Sequence, residues 1–156
     1  MDRSPVQPTH NYKLVQMDMK IPANCKLVDY LRKAFVEDQG DSFEALAIGD
    51  LDSDVYILYD GDTPVATGRI YKKENGYKIE RVAVPQELGK KGFGKELMRR
   101  LVELVLPKLQ KDEIIYLHGQ VYAEGFYHKC GWKTISEQFI EDNIQHVKMQ
   151  YVGFSK

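Results

Sequence analysis

The sequence predicts a mixed α/β fold, with an antiparallel meander joined to a parallel strand pair. Three runs rich in β-branched and aromatic residues, VYILYD, TPVATGRIY and YKIERVAV, occupy Val55 to Val84. They are punctuated by Asp60-Gly61-Asp62 and by Asn75-Gly76, which is the signature of successive hairpins. The third run passes through a loop of glycine and lysine into a helical repeat, and another strand, EIIYLHGQV, follows that helix. A strand reached through a helix is expected to return parallel, by a right-handed crossover. A chain of 156 residues suits one domain, 1–156, with a core of its own.

Taken in order, Tyr12 to Met17 reads as a short strand. Asn24 to Gln39 reads as one helix, with Leu27, Leu31, Ala34 and Phe35 at helical spacing, Asn24 as its cap and Gly40 as its stop. The polar stretch Asp41 to Asp54 is a loop with a turn of helix at Phe43 to Ile48. A two-residue turn at Asn75-Gly76 would set Tyr71 opposite Glu80 and Arg69 opposite Val82, placing polar groups on one sheet face beside the glycine loop. The next helix opens at about Gly94 and runs through Leu97, Leu101, Leu104 and Val105 towards Pro107. Ion pairs Glu96–Arg100 and Arg99–Glu103 should line its outer face. Ala123 to Lys129 is a short helix closed by Gly131, and KTISEQFI and IQHVKMQYV form a last hairpin around Glu141 to Asn143.

Composition narrows the partners. With 22 basic against 23 acidic residues and a net charge of −1, the whole molecule offers no general attraction to nucleic acid or an anionic membrane. Two cysteines, Cys25 and Cys130, make neither a disulfide framework nor a metal cluster, and a reducing cytoplasm is the expected location. The first eleven residues, MDRSPVQPTHN, lack the apolar core of a signal peptide, and no run reaches membrane-spanning length. His10, His118, His128 and His146 show no ligand spacing, so no metal is expected. No serine sits in a nucleophile elbow and Cys130 has no catalytic motif around it, which favours direct transfer over a covalent enzyme intermediate.

The loop itself, ELGKKGFGKE, is where a ligand is expected. Gly89, Gly92 and Gly94 let backbone approach closely, while a helix start offers unpaired N–H groups and the positive end of a dipole. Lys90, Lys91, Lys95, Arg99 and Arg100 crowd the same window, which suits an anion such as phosphate. A P-loop would need a hydroxyl where Glu96 stands, and a dinucleotide fingerprint would need a small residue where Leu97 stands.

A third phosphate-binding pattern fits better. Gly92, Phe93 and Gly94 match the pyrophosphate loop of the GNAT superfamily of N-acetyltransferases, although Gly89 stands where that pattern has Arg or Gln. Farther on, AEGFYHKCGW, from Ala123 to Trp132, resembles the family's second motif at the expected distance. AFVEDQG, PVATGRI, ERVAV, YLHGQ and EDNIQHVKM extend the likeness to a group of small, mostly bacterial members, over nearly the whole chain. Departures are Gln120, where many members carry Asn, and Asn143 with Gln145, where this group tends to have Gly and Pro.

The resemblance implies a GNAT fold, with acetyl-CoA in a V between splayed parallel strands. Main-chain groups of Val82, Ala83 and Val84 would hold the pantetheine. Gly89, Lys90, Lys91, Gly92, Phe93, Gly94 and Lys95 would hold the pyrophosphate, and Gln120 and Phe126 would line the far wall. Tyr127 matches the tyrosine that in many members protonates the departing thiolate. Glu37, Gln39, Arg69 and His146 are expected around the acceptor. The partner implied is a small-molecule or protein amine, and a homodimer is compatible with the resemblance.

The chemistry asks for a base, a polarised carbonyl and a stabilised sulfur. A tyrosine hydroxyl, with a reference pKa of about 10 against about 8.5 for a thiol, keeps its proton until sulfur needs it. Glu80 is a base if burial raises its pKa, or else a structural partner of Arg69 or Arg81; His118, on the same face as Gln120, is its rival. The competing reading of the whole chain is a CoA-binding sensor or interaction module without turnover. Consumption of acetyl-CoA with an amine separates the two.

Overall fold

The computed structural model describes residues 10–153; residues 1–9, which carry most of the segment read above as lacking a signal peptide, lie outside them. The strands are β1 (Tyr12–Met17), β2 (Asp54–Asp60), β3 (Thr63–Lys73), β4 (Gly76–Ala83), β5 (Ile114–Gln120), β6 (Trp132–Thr134), β7 (Phe139–Glu141) and β8 (Ile144–Tyr151). They form one sheet in the order β1-β2-β3-β4-β5-β8-β6, with β7 also paired to β8. Every pairing is antiparallel except β4 with β5, as the meander and the crossover predicted.

Helices cover both faces. They are α1 (Pro22–Leu31), α2 (Lys33–Gln39), α3 (Phe43–Ala47), α4 (Phe93–Val105) and α5 (Glu124–Lys129). On β2, Val55 and Ile57 pack with Val28 and Leu31 of α1, while Tyr56 and Leu58 join the larger core with Leu97, Met98 and Leu101 of α4. That two-sided burial explains why VYIL reads as a continuous apolar run rather than an alternating one. Gly68 lets α4 pack close on β3, since a Cβ there would lie 3.0 Å from Leu101 Cδ1.

Four local expectations change. The helix foreseen over Asn24 to Gln39 is two, broken at Arg32 (φ −91°, ψ 3°), whose guanidinium is drawn wholly into the interior by Asp50. Helix α1 begins at Pro22, where a missing N–H costs nothing, and Asn24 donates its side-chain amide to Asp18 O instead of capping. In α4 the buried stripe is Leu97, Met98, Leu101, Val102 and Val105, and Leu104 faces outward. The hairpin between β3 and β4 turns on Glu74-Asn75, one residue earlier than expected, so Arg69 faces Glu80 and Tyr71 faces Lys78. A slide of two in the pairing preserves parity, so the same side chains keep the same face. Gly76 serves the parallel junction: a Cβ there would sit 1.9 Å from Ile114 O, so only glycine lets β5 start beside it.

The feature that positions the site is a bulge in β4. The β3–β4 register shifts between Thr67 and Arg69, and Arg81 on the bulged strand has φ +54°. Pairing of β4 with β5 is confined to Gly76–Lys78 against Ile114–Tyr116. Beyond it β4 keeps only β3 and β5 keeps only β8, so the two strands part and each presents an open edge.

Candidate active site

The wedge between β4 and β5 opens towards the loop that leads into α4. Gly92 occupies the helix N-cap at φ +86°, and its carbonyl accepts the amide of Glu96 at 3.0 Å. Among the described residues no amide from Lys90 to Lys95 donates to a protein acceptor, so the backbone presents a run of free N–H groups. Lys90, Lys91 and Lys95 are exposed and form no ion pair there, whereas Arg99 and Arg100 are committed to Glu96. Two expected members of the loop sit differently. Gly89 is in ordinary extended conformation (φ −69°, ψ 163°) and spends its amide on Gln86 O at 3.1 Å; the Phe93 side chain turns into the core against Tyr12. Only the main chain of Phe93 can face a ligand.

Helix α5 closes the far wall. Phe126 stands beside Gly94, where a Cβ would lie 3.6 Å from its ring, and Tyr127 lies over Gly119, where a Cβ would meet the ring at 3.3 Å. Glycine in mid-strand thus makes room for the tyrosine. The Tyr127 side chain lines the cleft, its hydroxyl has no partner among the described residues, and burial, with Tyr122 and Cys130 adding to it, pushes its pKa far up. It is a proton donor throughout the neutral range.

On the other side the cleft is lined by Gln39, Lys78, Glu80, Arg81, His118, Gln120, Glu141 and His146, among others. His118 Nδ1 lies 2.8 Å from Glu141 Oε2, so the imidazole donates there and its Nε2 is left as the lone pair. Burial lowers the His118 pKa, Glu141 opposes the shift, and Lys78 and Lys148 add to it; the ring is therefore neutral at pH 7. Gln120 and Gln39 exchange hydrogen bonds at 3.1 and 3.3 Å, tying α2 to β5. His146 donates Nδ1–H to Ile144 O at 2.7 Å and stacks on Phe139.

Three sequence expectations need correction. Glu80 is not a carboxyl with a raised pKa. Burial alone would raise it, but Lys78 at 2.9 Å from Oε2 and Arg69 at 2.9 Å from Oε1 outweigh that and hold it low. Arg69 is not open to an acceptor: it is buried, and binds Glu80, Asp50 and Ile48 O. Glu37 is exposed on α2 and does not line the cleft. Sequence reasoning missed Glu141, which its place in a hairpin turn gave no reason to pair with His118. It also missed Lys78, although a lysine two residues before Glu80 on one strand was a readable sign.

Residues 26–152 match the family of acetyltransferase (GNAT) domains. The chain belongs to this family. The GNAT chain is an acyltransferase, and some of its relatives bear acetyltransferase names. A provisionally named acetyltransferase of Bacillus subtilis (strain 168) is 37% identical over 124 residues, 76% of this chain and 83% of its own. The crystal structure of Escherichia coli ElaA superposes with a TM-score of 0.73 at 26% identity, covering 91% of this chain and 99% of ElaA. A spermidine N-acetyltransferase from Vibrio cholerae, in complex with CoA and spermine, shares the fold at a TM-score of 0.65 and 20% identity, over 91% of this chain and 95% of its own.

Proposed function

We propose that this GNAT acetyltransferase moves an acetyl group from acetyl-CoA directly to a primary amine in a ternary complex. The observation that carries the reading is the parting of β4 and β5 beside the free amides of Lys90 to Lys95, with Tyr127 and His118 on one cleft. An extended pantetheine can pair with an open strand edge, and pyrophosphate suits a run of amides at a helix start flanked by exposed lysines. The CoA held by the Vibrio cholerae neighbour is in keeping with this assignment.

His118 takes the proton the amine sheds as nitrogen bonds to the acetyl carbon, and Glu141 holds the ring in the tautomer that can do so. Tyr127 gives its hydroxyl proton to sulfur as the carbon–sulfur bond breaks. Glu80 has the opposite character: pinned by two cations and below the usual carboxylate range, it organises the floor of the cleft. The test is release of free CoA thiol from acetyl-CoA across a panel of primary amines, with intact-mass measurement of the protein. Amine-dependent thiol release with an unmodified protein is expected. Binding of CoA with no turnover on any amine would favour the module without activity.

A further inference from the structure

Resting on that reading, we propose that the acceptor carries a carboxylate beside its amine, and that Arg81 is the residue that binds it. Lys78 and Arg81 line the cleft, and Arg32 and Arg69 lie buried beneath them; the four cations surround two carboxylates, Asp50 and Glu80. Those carboxylates are already taken. Arg32 and Arg69 occupy both oxygens of Asp50 at 2.8 to 2.9 Å, and Arg69 and Lys78 occupy the two oxygens of Glu80, each at 2.9 Å. Among the described residues Arg81 has no acidic partner; its Nε donates to Leu46 O at 3.1 Å, and neither terminal nitrogen is hydrogen-bonded to them. Those terminal nitrogens form a fork matched to a carboxylate.

The backbone argues the same way. Arg81 sits at the β4 bulge with φ +54°, a left-handed conformation that is unfavourable for a residue with a side chain. The bulge takes Arg81 out of the regular alternation of the strand, and Arg81 lines the cleft beside Glu80 and Val82. Strain that turns a cation into a ligand cleft is the kind that function retains. Burial, then the neighbouring Arg69, lowers the Arg81 pKa, with Arg32 adding to it and Glu80 and Asp142 opposing it, although neither carboxylate pairs with Arg81 among the described residues. The rim is of the other sign: Asp41, Glu141 and Asp142 line the same cleft. Acidic side chains around one unpaired guanidinium suit a zwitterion, amine and monoanionic carboxylate together, and disfavour a phosphate dianion.

The experiment titrates the L-amino acids and their carboxamides into the protein saturated with CoA, by calorimetry, for the parent and for Arg81→Gln and Arg81→Lys. At least one amino acid should bind the parent tenfold or more tightly than its carboxamide, because a charge-assisted pair is lost with the amide. Arg81→Gln should erase that preference while leaving carboxamide binding within about threefold, and Arg81→Lys should keep part of it. A parent that binds no acid better than its carboxamide would overturn the proposal, as would equal losses for both ligands in Arg81→Gln. Because binding is read without turnover, failure here is distinct from failure of thiol release.

Discussion

The two sides of the cleft are made of different material. Towards α4 and α5 the surface is largely backbone: open edges on β4 and β5, amides from Lys90 to Lys95, and glycines at 92 and 94 that keep it accessible. Towards α1, α2 and α3 it is side-chain charge, with Arg32, Asp50, Arg69, Glu80 and Lys78 locked together beneath Arg81. Backbone recognises what every member of a family shares, because any sequence supplies amides. Side chains discriminate, because each must be encoded. Under the proposed function, donor recognition falls to the first region and acceptor choice to the second.

The sharpest way to break the comparison is to open the charged floor. Asp50→Ala leaves buried Arg32 and Arg69 facing each other, and removing one member of a buried ion network costs about 3–5 kcal/mol. Urea denaturation should show a loss of that size; a change under about 1 kcal/mol would mean the cluster is not a structural unit. In the backbone region, Tyr127→Phe preserves ring packing against Gly119 and removes only the hydroxyl. Steady-state kinetics should show kcat reduced about a hundredfold, roughly 3 kcal/mol, with acetyl-CoA affinity nearly unchanged. Equal rates for parent and variant would put the acid elsewhere.

The pH dependence joins the two regions at His118. Below its pKa the imidazole is protonated and cannot act as base, so kcat/KM for the amine should fall more steeply there than from amine protonation alone. Burial sets that break below the ordinary histidine pKa of about 6.5. Glu141 raises the pKa, so Glu141→Gln should move the break to lower pH and lower the plateau about tenfold, since the ring loses its orienting partner. A break that stays in place would separate Glu141 from the base. The smallest effect is expected at Gly89, whose extended backbone accepts any residue, although a Cβ would press on Gln86 O at 3.2 Å. Gly89→Gln should tighten CoA binding by a fewfold in calorimetry by adding one donor to the loop; weaker binding would show that the crowding dominates.

Legibility in the sequence followed the same division. The meander, the crossover and the helix after the glycine loop are local patterns of period and turn chemistry, and the structure keeps them. The free amides were legible too, because glycines and a helix start announce themselves within a few residues. What escaped depends on contacts distant in the chain. Arg32 breaks a helix because Asp50, in a later turn, pairs with it inside the protein, and no pattern over Asn24 to Gln39 contains that fact. His118 meets Glu141 only after β7 and β8 fold back beside β5. The bulge at Arg81 moves one side chain out of alternation, and a strand read by parity alone cannot show it.

The central claim is that the acetyl group passes straight from sulfur to nitrogen while donor and acceptor occupy the two regions at once. Initial rates with acetyl-CoA and an accepted amine varied together test it most directly. Direct transfer predicts double-reciprocal lines that intersect, and a protein mass that stays unchanged when acetyl-CoA is present without an amine. Parallel lines, together with an acetylated protein that passes its acetyl group to the amine, would contradict it.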